Sequence, residues 1–272
     1  ELSAKHLFCY TLSMSLWRTK RQLSILALLL FVAGLISVGI YVRYKPSLSC
    51  SDGVLNQGER GVDCGGPCAR VCSDEVTTLT VEWARAFRVV DGHYDVIAKV
   101  RNENNHIGVP VLSYTAEIFD AENISISKRS GSTFVNSDET FYLFEGNLFT
   151  GARIPKYATL TINEPVVWAR LSATPLPLTV LNKIFSDSAQ PAVMASVVNE
   201  SLSSLKNITL VAMLYDAEGN AYGGSATLIE SLPKDARQDI SFVWREAFNV
   251  APASIDIIPR INTFSQADTG AL

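Results

Sequence analysis

Histidine is scarce in this chain. His6, His93 and His106 are the only three, and none has a second histidine at metal-ligand spacing. No glycine-rich phosphate loop opens a helix and no G-x-S-x-G occurs, which excludes two common ways of building a nucleotide or acyl-transfer site. Basic runs are missing beyond the first 45 residues. From residue 46 onward there are 17 lysines and arginines against 26 aspartates and glutamates, a net of −9. That balance sets aside nucleic acid and anionic lipid as partners of this part, since both need a basic footprint. Cysteine is also absent from the 200 residues after Cys72, so no free thiol is available there as a nucleophile. Amphipathic helices are lacking too. His106, in NENNHIG, reads as a solvated loop residue, and the pair Asp138-Glu139 as solvated turn carboxylates rather than an acid–base couple. No catalytic and no cofactor-binding residue is assigned.

One long uncharged run is present. Leu23–Val42 reads LSILALLLFVAGLISVGIYV between Arg21 and Arg43. Twenty helical residues at about 1.5 Å each cover about 30 Å, the thickness of a bilayer's hydrocarbon core. A buried core helix would show a polar face, and a cleaved leader has a shorter apolar region followed by small residues rather than YVRYKP. The run therefore reads as a retained membrane helix whose partner is the lipid bilayer. Arg18, Lys20 and Arg21 outnumber Arg43 and Lys45 across it, which favours a cytoplasmic N-terminus. Trp17, Tyr41 and Tyr44 suit interfacial belts. Met14 opens a typical basic lead-in, so no function is assigned to residues 1–13. A lipid-modified Cys50 is disfavoured, because Arg43 and Lys45 separate it from the apolar run.

Cys50, Cys64, Cys68 and Cys72 fall in CSDGVLNQGERGVDCGGPCARVC, too rich in Gly, Asp and Asn to bury a core. Such a stretch needs staples. Two disulfides compete with a four-thiolate zinc site, and the C-x₃-C-x₃-C spacing departs from the usual C-x-x-C pairing of zinc ligands. Four cysteines allow three pairings. Disulfides place this segment in an oxidising compartment, in agreement with the charge bias. The segment resembles a cysteine motif of bacterial surface and secreted proteins, C-x-D-G-x-x-N-x-x-E-x-x-x-D-C-G-G-x-C, through Cys50, Asp52, Gly53, Asn56, Glu59, Asp63, Cys64, Gly65, Gly66 and Cys68. Its spaced oxygens on Asp52, Asn56, Glu59 and Asp63 are candidate calcium ligands, against the simpler reading that Asp-Gly and Asn make turns.

The remainder contains an internal repeat. AKVRNENN (98–105) and YTAEIFDAEN (114–123) reappear as ASVVNESL (195–202) and LVAMLYDAEG (210–219), at offsets of 97 and 96 residues. SGSTF and GGSATL follow in turn, then FYLFEGNLF and FVWREAF, and the two halves close with VVWARL and IDIIPRI. A period near 96 suits a duplicated sandwich of about 100 residues. Val96, Ala98 and Val100 alternate with Asp95, Lys99 and Arg101, which predicts a strand with one buried face. Residues 208–215 are apolar on nearly both faces, which predicts a central or covered strand. Asn123 and Gly219 stand at matching turn positions suited to positive φ. Trp83, Phe87, Trp168 and Trp244 are expected in sandwich cores. Asn123, Asn199 and Asn207 form N-x-S/T sequons compatible with exposed loops.

At Leu214-Tyr215-Asp216 the second copy resembles the bacterial FxLYD-type domain, an immunoglobulin-like sandwich, with Ala212 in place of the Phe and Asn199 as a strand-ending Asn. Ile118, Phe119 and Asp120 stand in the same places in the first copy. The resemblance implies an envelope fold without a defined activity. The expected architecture is all-β: two tandem immunoglobulin-like β-sandwiches on a single N-terminal transmembrane α-helix. Its segments are a cytoplasmic lead (1–22), the membrane helix (23–42), a Cys-rich stem (43–75), sandwich 1 (76–172), sandwich 2 (173–266, opening on the Pro-rich linker 173–178) and a tail (267–272). The expected function is a membrane-anchored, non-catalytic, extracytoplasmic interaction or scaffold protein with an envelope protein partner. An accessory subunit of a larger membrane complex and a calcium-dependent adhesin are the alternatives. The two sandwiches are expected to form an elongated pair.

Overall fold

The computed structural model of the chain describes residues 2–44, 49–171 and 177–267. Residues 172–176, which include most of the expected linker, lie outside the described residues, as do part of the stem (45–48) and most of the expected tail. The N-terminal unit is one helix, α1 (Leu2–Tyr44). Its portion Lys20–Tyr44 has a mean hydropathy of 2.7, is long and apolar enough to cross a membrane, and buries none of its side chains in protein. The two serines inside it, Ser24 and Ser37, donate to the carbonyls of Lys20 and Ala33 four residues earlier. Their hydroxyls are thus satisfied without water, as a hydrocarbon environment requires.

The second unit begins at Cys50 and is almost entirely β. Its first sandwich has β1 (Thr80–Val90), β2 (His93–Arg101), β3 (Ile107–Phe119), β4 (Ser125–Val135), β5 (Thr140–Phe149), β6 (Tyr157–Ile162) and β7 (Ala169–Arg170). One sheet runs β1-β2-β5; the other runs β4-β3-β6, with β7 paired to the start of β3. The second sandwich has β8 (Leu178–Ser186), β9 (Ala192–Asn199), β10 (Leu205–Tyr215), β11 (Ala221–Leu232), β12 (Arg237–Val243) and β13 (Ser254–Arg260), followed by the short helix α2 (Thr263–Ala267). Its sheets run β8-β9-β12 and β11-β10-β13, the same order strand for strand. Alternating residues fill each core. Val96, Ala98 and Val100 face Ala116 and Ile118 in the first; Val193, Ala195 and Val197 face Ile208, Leu210, Ala212 and Leu214 in the second.

The two closing strands differ from the sequence-based pairing of VVWARL with IDIIPRI. β13 lies against the central β10, with Ala212 opposite Ile257. The strand in that place in the first sandwich is β6, with Ala116 opposite Leu160. Residues 166–171 form only the two-residue β7, and Trp168 plugs the core beside it. Matched polar details agree with the common topology. Asn102 and Asn199 are both buried, and each side-chain amide donates to two or three carbonyls: Ile107 and Asn136 from Asn102, Ser203, Leu232 and Pro233 from Asn199. Each thereby satisfies the backbone of loops that no strand can pair. Asp120 accepts the N–H groups of Glu122 and Ile124, and Asp216 those of Glu218 and Asn220. Asn123 and Gly219 take φ of 60° and 80° in those turns, as expected.

The sandwiches are not beads on a string. The outer face of β1-β2-β5 packs on the outer face of β11-β10-β13. Phe87, Ile97, Tyr142, Val211, Met213 and Ala221 are buried between them, with Trp83, Phe144, Tyr215 and Ile258 at the margin. The body is therefore four β layers with three apolar seams, and the expectation of an elongated pair gives way to a face-to-face stack. β10 is covered on both faces, which accounts for the apolar run at 208–215.

Candidate functional site

The apposition of the two sandwiches creates a cleft of about 270 Å³. One wall comes from Phe87, Arg88 and Val89 of β1 and from Asp95 of β2. The other comes from Tyr222–Ser225 of β11, from Val243 at the end of β12 and from the loop 244–248 that follows it. Both β1 and β11 are edge strands of their sheets. Phe248 meets both Tyr222 and Trp244 edge to face, and Trp244 Nε1 donates to Gly224 O at 3.0 Å. Arg88 spans the mouth, paired with Asp91 at 2.8 Å and with Glu246 of the second sandwich at 3.2 Å. Asp95 lies on the same face of β2 as Ile97. Its Oδ1 accepts the N–H of Asn147 at 2.7 Å. Burial pushes its carboxyl above the ordinary carboxylate range, partly offset by that hydrogen bond and by the charge of Arg129. Among the described residues Asp95 belongs to no ion pair.

Polar groups lock the seam on the far side of the cleft. Arg260, at the end of β13, places its guanidinium 3.7 Å from the Phe141 ring centre and 4.4 Å from that of Phe134. It grips Glu139 with two bonds of 2.7 and 3.1 Å and donates to Phe134 O at 2.7 Å. Asn136 donates to Ile261 O at 3.0 Å and accepts the Thr263 hydroxyl at 2.6 Å. Tyr142 meets Tyr215 at 2.5 Å and Asp256 at 3.0 Å. Burial raises the Tyr142 hydroxyl above the ordinary phenol range, helped by Tyr215 and Asp256. Sequence reasoning read Asp138-Glu139 as solvated turn carboxylates. Glu139 is instead largely buried and charge-paired across the seam, because its partner lies 121 residues away.

The stapled segment is held by Cys50–Cys68 and Cys64–Cys72. It docks on the first sandwich. Val71 enters that core, Arg70 bridges to Ala169, and Val71 N donates to Trp168 O. The four calcium candidates are brought together, but as a network of turns. Asp63 accepts from the N–H groups of Asp52 and Gly53, Asp52 from Val54 and the Asn56 amide, and Glu59 from the N–H groups of Asn56 and Asp63. Among the described residues Asn56 Oδ1 is buried without a partner. Glu59 Oε1 stands 3.2 Å from Cys68 Sγ; a disulfide sulfur carries no proton, so this is a contact and not a hydrogen bond. Cys50, Glu59 and Cys68 cluster as metal ligands do, yet the disulfide leaves no thiolate to coordinate.

His93 bonds Asn147 at 2.7 Å and leans on Phe149. His106 takes a φ of 58° in the β2–β3 loop. Trp168 lies in the first core as expected and Trp244 packs against the second while also lining the cleft, whereas Trp83 and Phe87 serve the seam. The sequons separate: Asn123 and Asn207 are exposed, but Asn199 is wholly buried, which corrects its reading as an exposed loop position.

No family model matches the chain, and no curated protein does. Among solved structures it is similar to red sea bream transglutaminase, at 15% identity and a TM-score of 0.22, over 68% of this chain and 29% of that one. It is also similar to a Bacteroides fragilis protein assigned as a beta-galactosidase, at 11% identity and a TM-score of 0.19, over 65% and 34%. The chain thus spans about a third or less of either protein. Likeness at this level carries no argument about activity.

Proposed function

We propose that the chain is a membrane-anchored, non-catalytic interaction or scaffold protein of the cell envelope. In this reading α1 spans the membrane with its N-terminus in the cytoplasm, and the β body stands outside as two copies of an FxLYD-type, immunoglobulin-like module. The observation that carries the reading is the pairing of features on either side of residue 49. An apolar helix with no protein cover leads into a body stapled by two disulfides, and disulfides persist in oxidising compartments. The four-layer body supports a binding role because it holds edge strands and an inter-sandwich cleft in fixed geometry.

Two measurements test this. After alkaline washing of native membranes, the full chain stays in the pellet. With intact cells and a membrane-impermeant thiol reagent, Cys50, Cys64, Cys68 and Cys72 label only after external reduction, while Cys9 stays protected. Recovery in the supernatant, or labelling of Cys9 from outside, sinks the proposal.

A specific surface favours the accessory-subunit alternative. On the outer face of β8-β9-β12, Leu181, Ile184, Met194 and Val243 are each 42–55% exposed. Ile184 lies directly opposite Met194 across the β8–β9 ladder. Purification in mild detergent decides between the two: a stoichiometric membrane partner supports the subunit reading, and a lone monodisperse chain supports the scaffold.

A further inference from the structure

We infer that Glu59 shields the Cys50–Cys68 disulfide from thiol reductants, its carboxylate opposing both the approach of an anionic thiol and the departure of Cys68 as a thiolate. This device belongs to the stem and does not depend on what the β body binds.

Only one oxygen of Glu59 is spent on the local fold. Oε2 accepts the N–H groups of Asn56 and Asp63 at 3.4 and 3.3 Å, long bonds that hold the turn. Oε1 has no donor among the described residues and faces Cys68 Sγ at 3.2 Å. The carboxylate lies within 4.8 Å of both sulfurs of that bond. Among the described residues no acid stands so close to both sulfurs of Cys64–Cys72. Nor does Glu59 belong to an ion pair among the described residues, and the adjacent Arg60 is committed to Asp74 and Glu75. Asp63, bonded to the N–H groups of Asp52 and Gly53 just after Cys50, adds charge of the same sign.

Exposure decides how the bond is attacked. Cys50 is exposed, whereas Cys68 is 1% exposed. A reagent thiolate therefore reaches Cys50 Sγ and forms a mixed disulfide there, while the electron pair of the broken S–S bond leaves on Cys68 Sγ. A second thiolate then attacks the mixed disulfide, which yields the oxidised reagent and, after protonation by water, two protein thiols. The leaving sulfur is buried and meets the Glu59 oxygen. Its negative charge is thus penalised twice, by desolvation and by like charge, and exchange slows as the leaving thiolate becomes less stable. Cys64–Cys72 is covered instead by position, since Cys64 is half-buried and Cys72 is buried. The staple that is open to solvent on one side is the one with a carboxylate set against it.

The test uses the full chain in zwitterionic nanodiscs with Cys9 alkylated beforehand. Anionic mercaptoethanesulfonate, neutral 2-mercaptoethanol and cationic cysteamine serve as reductants. Reactions are stopped early with acidic N-ethylmaleimide, and mass spectrometry reads the opening of each bond. Glu59→Gln keeps an oxygen for the two N–H groups and removes the charge. It is expected to open Cys50–Cys68 about tenfold faster with the neutral reagent, with a larger gain for the anionic one and a smaller gain for the cationic one. Cys64–Cys72 should change little. In the unmodified chain the preference for cysteamine over mercaptoethanesulfonate is larger at Cys50–Cys68 than at Cys64–Cys72, a comparison that needs no variant. Equal acceleration by all three reagents, or of both bonds, would mean that Glu59 only holds the turn, and it overturns the shield. An unchanged rate at Cys50–Cys68 in Glu59→Gln, or equal reagent preference at the two bonds of the unmodified chain, overturns it as well.

Discussion

Ile97 of the first sandwich and Gly224 of the second meet across the seam so closely that a Cβ on Gly224 would lie 2.2 Å from Ile97 Cδ1. The same Cβ would lie 2.7 Å from Met213 Sδ. Glycine at 224 lets the two sheets meet with Ile97 and Met213 in place, since any larger residue must push the ends of both side chains aside. Gly224→Val should cost about 1–3 kcal/mol by overpacking. Thermal unfolding followed by calorimetry should show the loss, together with a separation of the single transition into two as the seam opens. A single transition at unchanged Tm would mean that the seam adjusts freely.

Arg260 and Glu139 offer a sharper test of the same seam. Both are largely buried, so removing one charge strands the other. Glu139→Gln is expected to destabilise by about 3–5 kcal/mol in urea unfolding. The double variant Arg260→Met with Glu139→Leu should recover most of that, since apolar residues of similar volume often replace a buried pair at little cost.

Asn199 and Asn102 should behave alike. Each variant to alanine leaves buried carbonyls without donors, at about 1–3 kcal/mol. Equal losses from Asn102→Ala and Asn199→Ala would match their shared place at the ends of β2 and β9. A neutral Asn199→Ala would show that water replaces its three bonds.

The two aspartates Asp120 and Asp95 should respond to acid in opposite directions. Burial acts against the Asp120 carboxylate, but the Ile124 N–H, Arg153 and the Glu122 N–H together hold its pKa below the ordinary value. Its contribution to stability is therefore present above the unfolded pKa and lost as pH falls through the lower folded one. The Asp95 pKa is raised by burial, so it costs stability once pH exceeds the unfolded value, and the cost is relieved on acidification. Titrating Tm from pH 7 to pH 3 should show Asp120→Asn converging on the parent at low pH from below. Asp95→Asn should converge from above. Parallel curves would contradict both assignments.

Disulfide removal should act locally. Cys50–Cys68 closes 18 residues and Cys64–Cys72 closes 8, loops worth about 2–3 kcal/mol each by chain entropy. Reduction is expected to expose the 50–72 segment to protease while β8–β13 stay protected. Mass spectrometry of the cleaved fragments checks both the pairing and the localisation. Loss of the second sandwich on reduction would contradict a staple confined to the first.

Much of this was legible in the residues themselves. The apolar run at 23–42 declared a long helix because no polar side occurs in it. Alternation at 95–101 declared a strand, and Asn123 and Gly219 in Asp-Ala-Glu-Asn and Asp-Ala-Glu-Gly declared the turns, since local chemistry fixes local geometry. One residue broke the alternation: Ile97 stands among Asp95, Lys99 and Arg101, on the face expected to be wet. It was the visible trace of the seam, as was the doubly apolar β10. The disulfide pairing was not legible, because four cysteines within 23 residues permit every connectivity. Nor was the burial of Glu139 or Asn199, whose partners come from distant strands.

What the sequence determined alone is everything governed by near neighbours: the membrane-length helix, the period-two strands, the turn residues and the need for staples after the helix. The tertiary structure decided which faces meet. A strand pattern records that a side chain is apolar, but not whether it is covered by its own sandwich or by the next one. That choice is made by contacts between residues far apart in the chain, and here it turned two sandwiches into one four-layer body with a charged cleft between its halves.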